Sequence, residues 1–237
     1  MPRAVEWVLA LVLGVLLAPV FILVALAVLV VEGRPIFYLS KRMKTPNISF
    51  GLIKFRTMSV SQAEVGVTGG DKAHRISAFG GFLRQSRLDE IPQLWNILRG
   101  DMGFVGSRPQ SPRYVKRHKN AYTQLLMHRP GLTGLGTLLC VRREGRILAK
   151  CRTPLQTEQM YERYCLQPRN RADILYATNR TIMSDIYMLM ATGLRFLPAS
   201  PRPRRWMRRV RIGCRGYFFK LLSVVRYFGA FREYSQY

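Results

Sequence analysis

From Trp7 to Val31 the chain carries no charged residue, and no other feature restricts its fold as strongly. At ~1.5 Å per residue, a helix over this run is long enough to cross a hydrocarbon core of ~30 Å, so the segment belongs in a bilayer. It is longer than the about 7–15 apolar residues of a cleavable signal and lacks a small-residue cleavage site. Arg3 precedes the run, whereas Arg34, Lys41, Arg42 and Lys44 follow it, which draws the C-terminal side to the cytoplasm. Pro19 lies near the middle. It removes one helical hydrogen bond and crowds the preceding turn, so a kink or break is expected there. Two topologies are then open: a kinked span, or a re-entrant hairpin whose ends return to one face.

The remaining chain is strongly cationic. With 38 Lys and Arg against 13 Asp and Glu, the formal net charge is +25, which calls for an anionic partner: nucleic acid, a phospholipid surface or a phosphate-bearing substrate. Composition does not choose among them. Cys140, Cys151, Cys165 and Cys214 are widely spaced, without a Cys-x-x-Cys pair or an adjoining histidine cluster, which argues for reduced thiols and against a zinc or redox centre. His74, His118 and His128 are scattered and read as structural or solvated.

After the membrane segment, Pro35 to Leu39 and Ile48 to Phe55 read as short strands joined by a turn containing Thr45, Pro46 and Asn47. This hairpin delivers Lys54-Phe55-Arg56-Thr57-Met58. Residues 59–72 have little periodicity and read as a mobile loop over a site. A helical stretch from Arg75 to Arg87 follows, with Ile76, Phe79 and Leu83 on one face and Gly80-Gly81 interrupting it. Asp89 and Glu90 then precede an apolar run of Ile91, Leu94, Trp95, Ile97 and Leu98 at helical spacing, with Pro92 in the first turn. Asp89 is thus placed to cap a helix, a role worth about 1 kcal/mol. The same free N–H groups and partial positive charge also suit a cluster of phosphates beside a reactive carboxylate.

The segment Arg84-Gln-Ser-Arg87-Leu-Asp89-Glu90-Ile-Pro92-Gln-Leu-Trp-Asn96 through Gly100-Asp101-Met102 resembles the signature of the bacterial sugar transferases. These are monotopic phosphoglycosyl transferases, which move a phospho-sugar from a nucleotide-sugar to a polyprenyl phosphate. Lys54 to Met58 resembles the family's basic motif, and Arg129-Pro130-Gly131-Leu132-Thr133-Gly134 is a further strong match, read as a sharp loop. Gly103 to Pro109 resembles the Pro-Arg-Pro turn, with Ser107 in place of the first proline. Arg87 also departs from relatives that carry a small hydroxyl residue there, and is expected to lower the pKa of Asp89 and keep it ionised. The likeness spans about residues 7–197. It thins downstream, where the Ile182, Ile186, Leu189, Met190 and Leu194 pattern reads as the core face of a helix.

What the resemblance implies is an α+β, mostly helical protein with a proline-broken re-entrant membrane helix hinged at Pro19 (residues 1–33). A catalytic domain with a small β-hairpin follows (34–197); beyond the likeness, the composition of residues 198–237 reads as a basic amphipathic tail. The resemblance implies Asp89 as nucleophile, Glu90 as proton carrier or orienting group, and Lys54, Arg56, Arg84, Arg87, Arg108 and Arg129 as phosphate-binding residues. Mg²⁺ would be held by Asp89 and phosphate oxygens. The partners are a nucleotide-sugar, a polyprenyl phosphate and the anionic inner membrane of a bacterium, with the domain on the cytoplasmic face. A homo-oligomer is allowed but not required. The tail interleaves Arg208, Arg209, Arg211 and Arg215 with Trp206, Tyr217 and Phe218, a pattern suited to an anionic leaflet. No nucleic-acid partner is expected. Two rival classes are an inactive scaffold of polysaccharide assembly and a membrane-anchored nucleic-acid-binding protein. The latter leaves the Asp89-Glu90 segment without a purpose.

Overall fold

The computed structural model describes residues 1–59 and 67–194. Helix α1 (Arg3–Val31) leads into the antiparallel hairpin β1 (Phe37–Met43) and β2 (Ser49–Phe55). A 3₁₀ turn (Gly70–Arg75), α2 (Ala78–Ser86), a second 3₁₀ turn (Leu88–Glu90) and α3 (Gln93–Arg99) follow. Then come β3 (Gly103–Val105), α4 (Pro112–Arg117), α5 (Lys119–Leu126), β4 (Gly131–Thr133) and α6 (Leu135–Leu148). The order closes with α7 (Pro154–Met160), a π-helical turn (Tyr161–Leu166), α8 (Gln167–Thr178) and α9 (Ile182–Leu194). The mostly helical, mixed architecture agrees with the expectation; the basic tail lies outside the described residues.

Helix α1 runs through Pro19 without interruption, so the proline sits inside one helix and does not divide it into two. Its missing N–H leaves the carbonyl of Val15 without the usual donor. Both ends of α1 are bound to the rest of the chain. Near the start, Glu6 is buried in an ion pair with Arg129, and Ala10 enters a core with Leu52, Ile97, Phe104 and Leu138. Near the end, Val24 and Val28 pack with Phe55 and Leu83. Between these anchors the apolar side chains face outward: Val15 and Leu16 are 68% and 67% exposed.

The hairpin has a two-residue alternation that puts Tyr38, Ser40 and Arg42 of β1 on the same face as Lys54, Leu52 and Phe50 of β2. Leu52 is buried in the core, so this is the face turned toward the helices. Met43 extends the hairpin by donating its amide to the Gln110 carbonyl at 2.8 Å.

Strands β3 and β4 pair in parallel, Gly103 with Gly131 and Val105 with Thr133. The Arg129-Pro130-Gly131 segment is therefore a strand entry, not the sharp free loop expected from its proline and glycine. Glycine is needed because the two backbones nearly touch. A Cβ on Gly131 would lie inside van der Waals contact with the amide of Gly106, and one on Gly106 would press on the Arg129 carbonyl. Helix α6 starts directly after, where Asp173 of α8 accepts the Gly136 amide at 2.7 Å. Burial pushes the Asp173 carboxyl up to about 6 despite Arg169, which itself pairs with Glu144 at 2.9 Å.

Helix α9 departs from its expected role. Ile182, Ile186 and Met190 are 58%, 42% and 52% exposed, and the buried side carries Asp185 and Met188. Leu189 of the same pattern does pack against the core, while the buried Asp185, which accepts the Tyr176 hydroxyl at 2.6 Å and Arg180 at 2.8 Å, leaves the Ile182, Ile186 and Met190 edge outward.

Gly131→Ala should destabilise the protein by about 2 kcal/mol or more, because overpacking against backbone cannot be relieved by a rotamer change. Gly145→Ala is the control, since nothing lies near its missing Cβ, and it should leave the thermal midpoint unchanged or raise it. Thermal unfolding in detergent reads both; equal midpoints for the two variants would contradict the backbone-contact account.

Candidate active site

Helix α2 begins on a Ser77 cap, whose hydroxyl oxygen accepts the Gly80 amide at 2.8 Å. Gly80 lies against the Thr57 carbonyl, which brings the basic segment after β2 onto the start of α2. The helix stops at Arg87, whose φ of 61° makes it the one left-handed non-glycine residue among those described. Such a conformation costs roughly 1–2 kcal/mol. It turns the chain sharply into Leu88–Glu90, closed by Glu90 N–H to the Arg87 carbonyl at 3.1 Å. Asp89 is therefore not the N-cap of α3: Pro92 occupies that place, with no side chain closing the cap. The carboxylate is left for other work.

Three cations converge on one oxygen of Glu90. Lys54 Nζ is 3.0 Å from Oε1, Arg87 Nη1 3.1 Å and Arg108 Nη2 2.8 Å. They come from β2, from the turn after α2 and from the segment after β3, so a single carboxylate ties three elements together. Burial alone would raise the Glu90 carboxyl, but Arg108, Lys54 and Arg87 together hold it well below the usual carboxylate range.

Asp89, adjacent in sequence, has the opposite environment. It is 6% exposed, and its buried Oδ1 has no hydrogen-bond partner. Burial pushes its carboxyl up; Lys54 opposes this, Glu90 adds to it, and Arg87 and Arg84 pull it back. The expected lowering by Arg87 is therefore outweighed by desolvation, and the direct partner of Arg87 is Glu90. Arg84 stands close by, its Nε donating to Thr57 Oγ1 at 2.7 Å.

Of the residues singled out in the sequence, Lys54, Arg84, Arg87, Asp89, Glu90 and Arg108 are thus brought together. Arg56 and Arg129 are not. Arg56 is 7% exposed and donates to the carbonyls of Glu32, Gly33 and Arg34, so it closes the end of α1. Arg129 pairs with Glu6 at the start of α1. In this structure both side chains are engaged by the two ends of α1 and its C-terminal extension, away from the cluster on Glu90. Reading motif by motif could not reveal this, because the partners are main-chain carbonyls and a glutamate more than a hundred residues away. Pro19 belongs to α1 and not to this cluster. For a metal, the site offers one unpartnered carboxylate oxygen, and no cluster of three ligating side chains occurs among the described residues. That suits Mg²⁺, which takes most of its ligands from phosphate and water.

The chain belongs to the bacterial sugar transferase family, whose description matches residues 1–198. It is 30% identical over 189 residues to the UDP-glucose:undecaprenyl-phosphate glucose-1-phosphate transferase of Xanthomonas campestris pv. campestris, covering 76% of this chain and 35% of that protein. It is 33% identical over 144 residues to the protein of the same name in Caulobacter vibrioides, covering 59% and 54%. With the exopolysaccharide production protein ExoY of Rhizobium meliloti it shares 34% over 136 residues, 51% of this chain and 60% of that one. The chain spans about a third to three fifths of the length of these relatives.

Glu90→Gln leaves Lys54, Arg87 and Arg108 without their shared anion and should cost about 3 kcal/mol, as breaking a buried pair does. The folded carboxyl is depressed, so its contribution is present above the unfolded pKa of about 4.3 and is lost as pH falls below it. The stability gap between wild type and variant should be full at pH 7 and shrink on acidification. Denaturant midpoints measured across pH check this, and a gap independent of pH would contradict it.

Proposed function

We propose that the protein transfers a phospho-sugar from a nucleoside diphosphate-sugar to a polyprenyl phosphate, through a covalent phospho-sugar on Asp89. The observation that carries this reading is a buried carboxylate with one unpartnered oxygen beside a neighbour neutralised by three cations. In the first step an Asp89 oxygen attacks the sugar-bearing phosphorus, the bond to the second phosphate breaks, and the nucleoside monophosphate leaves. In the second, an oxygen of the polyprenyl phosphate attacks the same phosphorus and frees the Asp89 carboxylate. One difficult transfer becomes two easier ones.

Desolvation makes the Asp89 carboxylate a stronger nucleophile once ionised, and the surrounding Lys54, Arg84, Arg87 and Arg108 stabilise negative charge developing on phosphoryl oxygens. Glu90 orders these cations. Its depressed pKa makes it a poor proton carrier at neutral pH, so of its two expected roles the orienting one is favoured. Asp89 would be the protein ligand of a Mg²⁺ ion, which when bound offsets diphosphate charge. The relatives' names point to UDP-glucose as the first donor to test and undecaprenyl phosphate as the acceptor, and the ExoY name to surface polysaccharide as the product class.

The anchors of α1 support a re-entrant topology. A full span would separate Glu6 from Glu32 by ~30 Å of hydrocarbon, yet the first pairs with Arg129 and the second with Ser77, both on the one folded domain. A re-entrant helix with both ends on the cytoplasmic face of the inner membrane reconciles the outward apolar middle with the two anchors. Met183, Ile186 and Met190 of α9 and Trp95 of α3 add exposed apolar groups suited to the same interface.

Two experiments test the proposal. Incubation with labelled nucleotide-sugar, acid quench and mass spectrometry of the peptide around residue 89 should find a phospho-sugar adduct in wild type and none in Asp89→Asn; an adduct persisting in that variant rules out the assigned nucleophile. For topology, a cysteine placed at position 2 in a variant without its native cysteines should resist an impermeant thiol reagent in intact cells and react after permeabilisation. Labelling from outside would establish a full span.

A further inference from the structure

One cation near the site has no counterion. Arg42 follows Ser40 by two residues on β1 and so lies on the hairpin face that carries Lys54. Its Nε donates to Ser40 Oγ at 3.0 Å, and among the described residues no carboxylate pairs with it. The amide of the next residue, Met43, binds the Gln110 carbonyl, and Gln110 Nε2 in turn holds the Arg108 carbonyl at 2.8 Å. The base of Arg42 is thereby fixed beside the Arg108 turn. Burial lowers the Arg42 guanidinium from its ordinary value, and repulsion from Arg108 is the next cause.

This arrangement is unfavourable by itself. Arg108 already shares Glu90 with Lys54 and Arg87, so Arg42 adds a further cation without adding a carboxylate. A partly desolvated guanidinium that feels the charge of another, with only a hydroxyl to receive its protons, weakens the fold unless an anion arrives. Departures of this kind from local consistency concentrate where ligands bind. The planar fork of arginine matches two phosphate oxygens, and the backbone link through Met43 and Gln110 brings a second such fork to the neighbourhood of Arg108.

We propose that Arg42, together with Arg108, holds a substrate phosphate that is not the one attacked by Asp89. Resting on the transfer reaction proposed above, this phosphate comes either from the nucleoside monophosphate leaving group of the donor or from the polyprenyl phosphate acceptor. In both cases the guanidinium receives phosphate oxygens and takes part in no bond change.

The test uses the full-length protein in detergent, with Arg42→Gln and Arg42→Lys. Without ligand, Arg42→Gln should melt at or above the wild-type temperature, because a like-charge contact is removed; a scaffold role predicts a lower midpoint. Inorganic diphosphate should raise the wild-type midpoint, and its apparent Kd should weaken about tenfold in Arg42→Gln, with partial recovery in Arg42→Lys. A fall in ligand-free stability with unchanged diphosphate affinity would overturn the proposal, as would failure of wild type to bind diphosphate. Steady-state transfer then separates the sources. A raised KM for nucleotide-sugar alone assigns the donor phosphate, a raised KM for undecaprenyl phosphate alone assigns the acceptor, and unchanged KM values for both overturn the inference. If wild type turns over no nucleotide-sugar but binds diphosphate through Arg42, the transfer reading fails while the anion site stands.

Discussion

The three cations on Glu90 Oε1 hold the site in one geometry. Lys54, Arg87 and Arg108 are supplied by three separate segments of the chain, and each is flexible on its own. A shared carboxylate fixes their heads within hydrogen-bonding distance of one point, something their aliphatic stems cannot do. Glu90 is itself held by the turn that follows the left-handed Arg87. The conformational cost of that turn is thus offset at the same residue, because the guanidinium of Arg87 becomes one of the three partners. Were the turn to relax, the carboxylate would move, and the cations would repel one another.

A second constraint joins the site to the apolar helix α1. Arg56 is two residues from Lys54 and holds the carbonyls of Glu32, Gly33 and Arg34 just beyond α1, while Arg129 lies two residues before β4 and pairs with Glu6 at the start of α1. Strand β4 is zipped to β3 through glycines, and β3 leads to Arg108. Each end of α1 is therefore tied to a strand that delivers one of the cations on Glu90. The helix is part of the scaffold of the site, and not merely a tether. An ion pair such as Glu6 with Arg129 gains strength where water is scarce, and costs much to break there.

Much of this was legible in the sequence, and the parts that were not share a cause. The apolar run, the hairpin and the gathering of Lys54, Arg84, Arg87 and Arg108 around Asp89-Glu90 follow from local pattern and resemblance. The protein partners of Arg56 and Arg129 were not legible because a basic residue in a motif looks the same whether it faces a ligand or main-chain carbonyls and a distant glutamate; only the packing of α1 against the domain reveals them. The outward stripe of α9 was misread because helical periodicity reports which residues share a face and says nothing about which way that face points. Arg42 went unremarked among the cations after the apolar run, although its two-residue alternation with Ser40 and Tyr38, matched across the turn to Lys54, was available in the pattern.

The opposed environments of Asp89 and Glu90 bear on how a buried carboxylate could act as a nucleophile. Burial favours the neutral acid, and an acid does not attack phosphorus. Had the three cations paired with Asp89, it would be ionised but locked in hydrogen bonds, and its lone pairs would be occupied. By placing those bonds on Glu90, the fold lets the cations act on Asp89 through space, with one oxygen left unpartnered. The carboxyl remains raised relative to an exposed aspartate, so in the proposed reaction acid should silence it at a higher pH than it would an ordinary aspartate. What the arrangement would give the proposed reaction is a weakly solvated oxygen that need not shed a hydration shell or a salt bridge before attack.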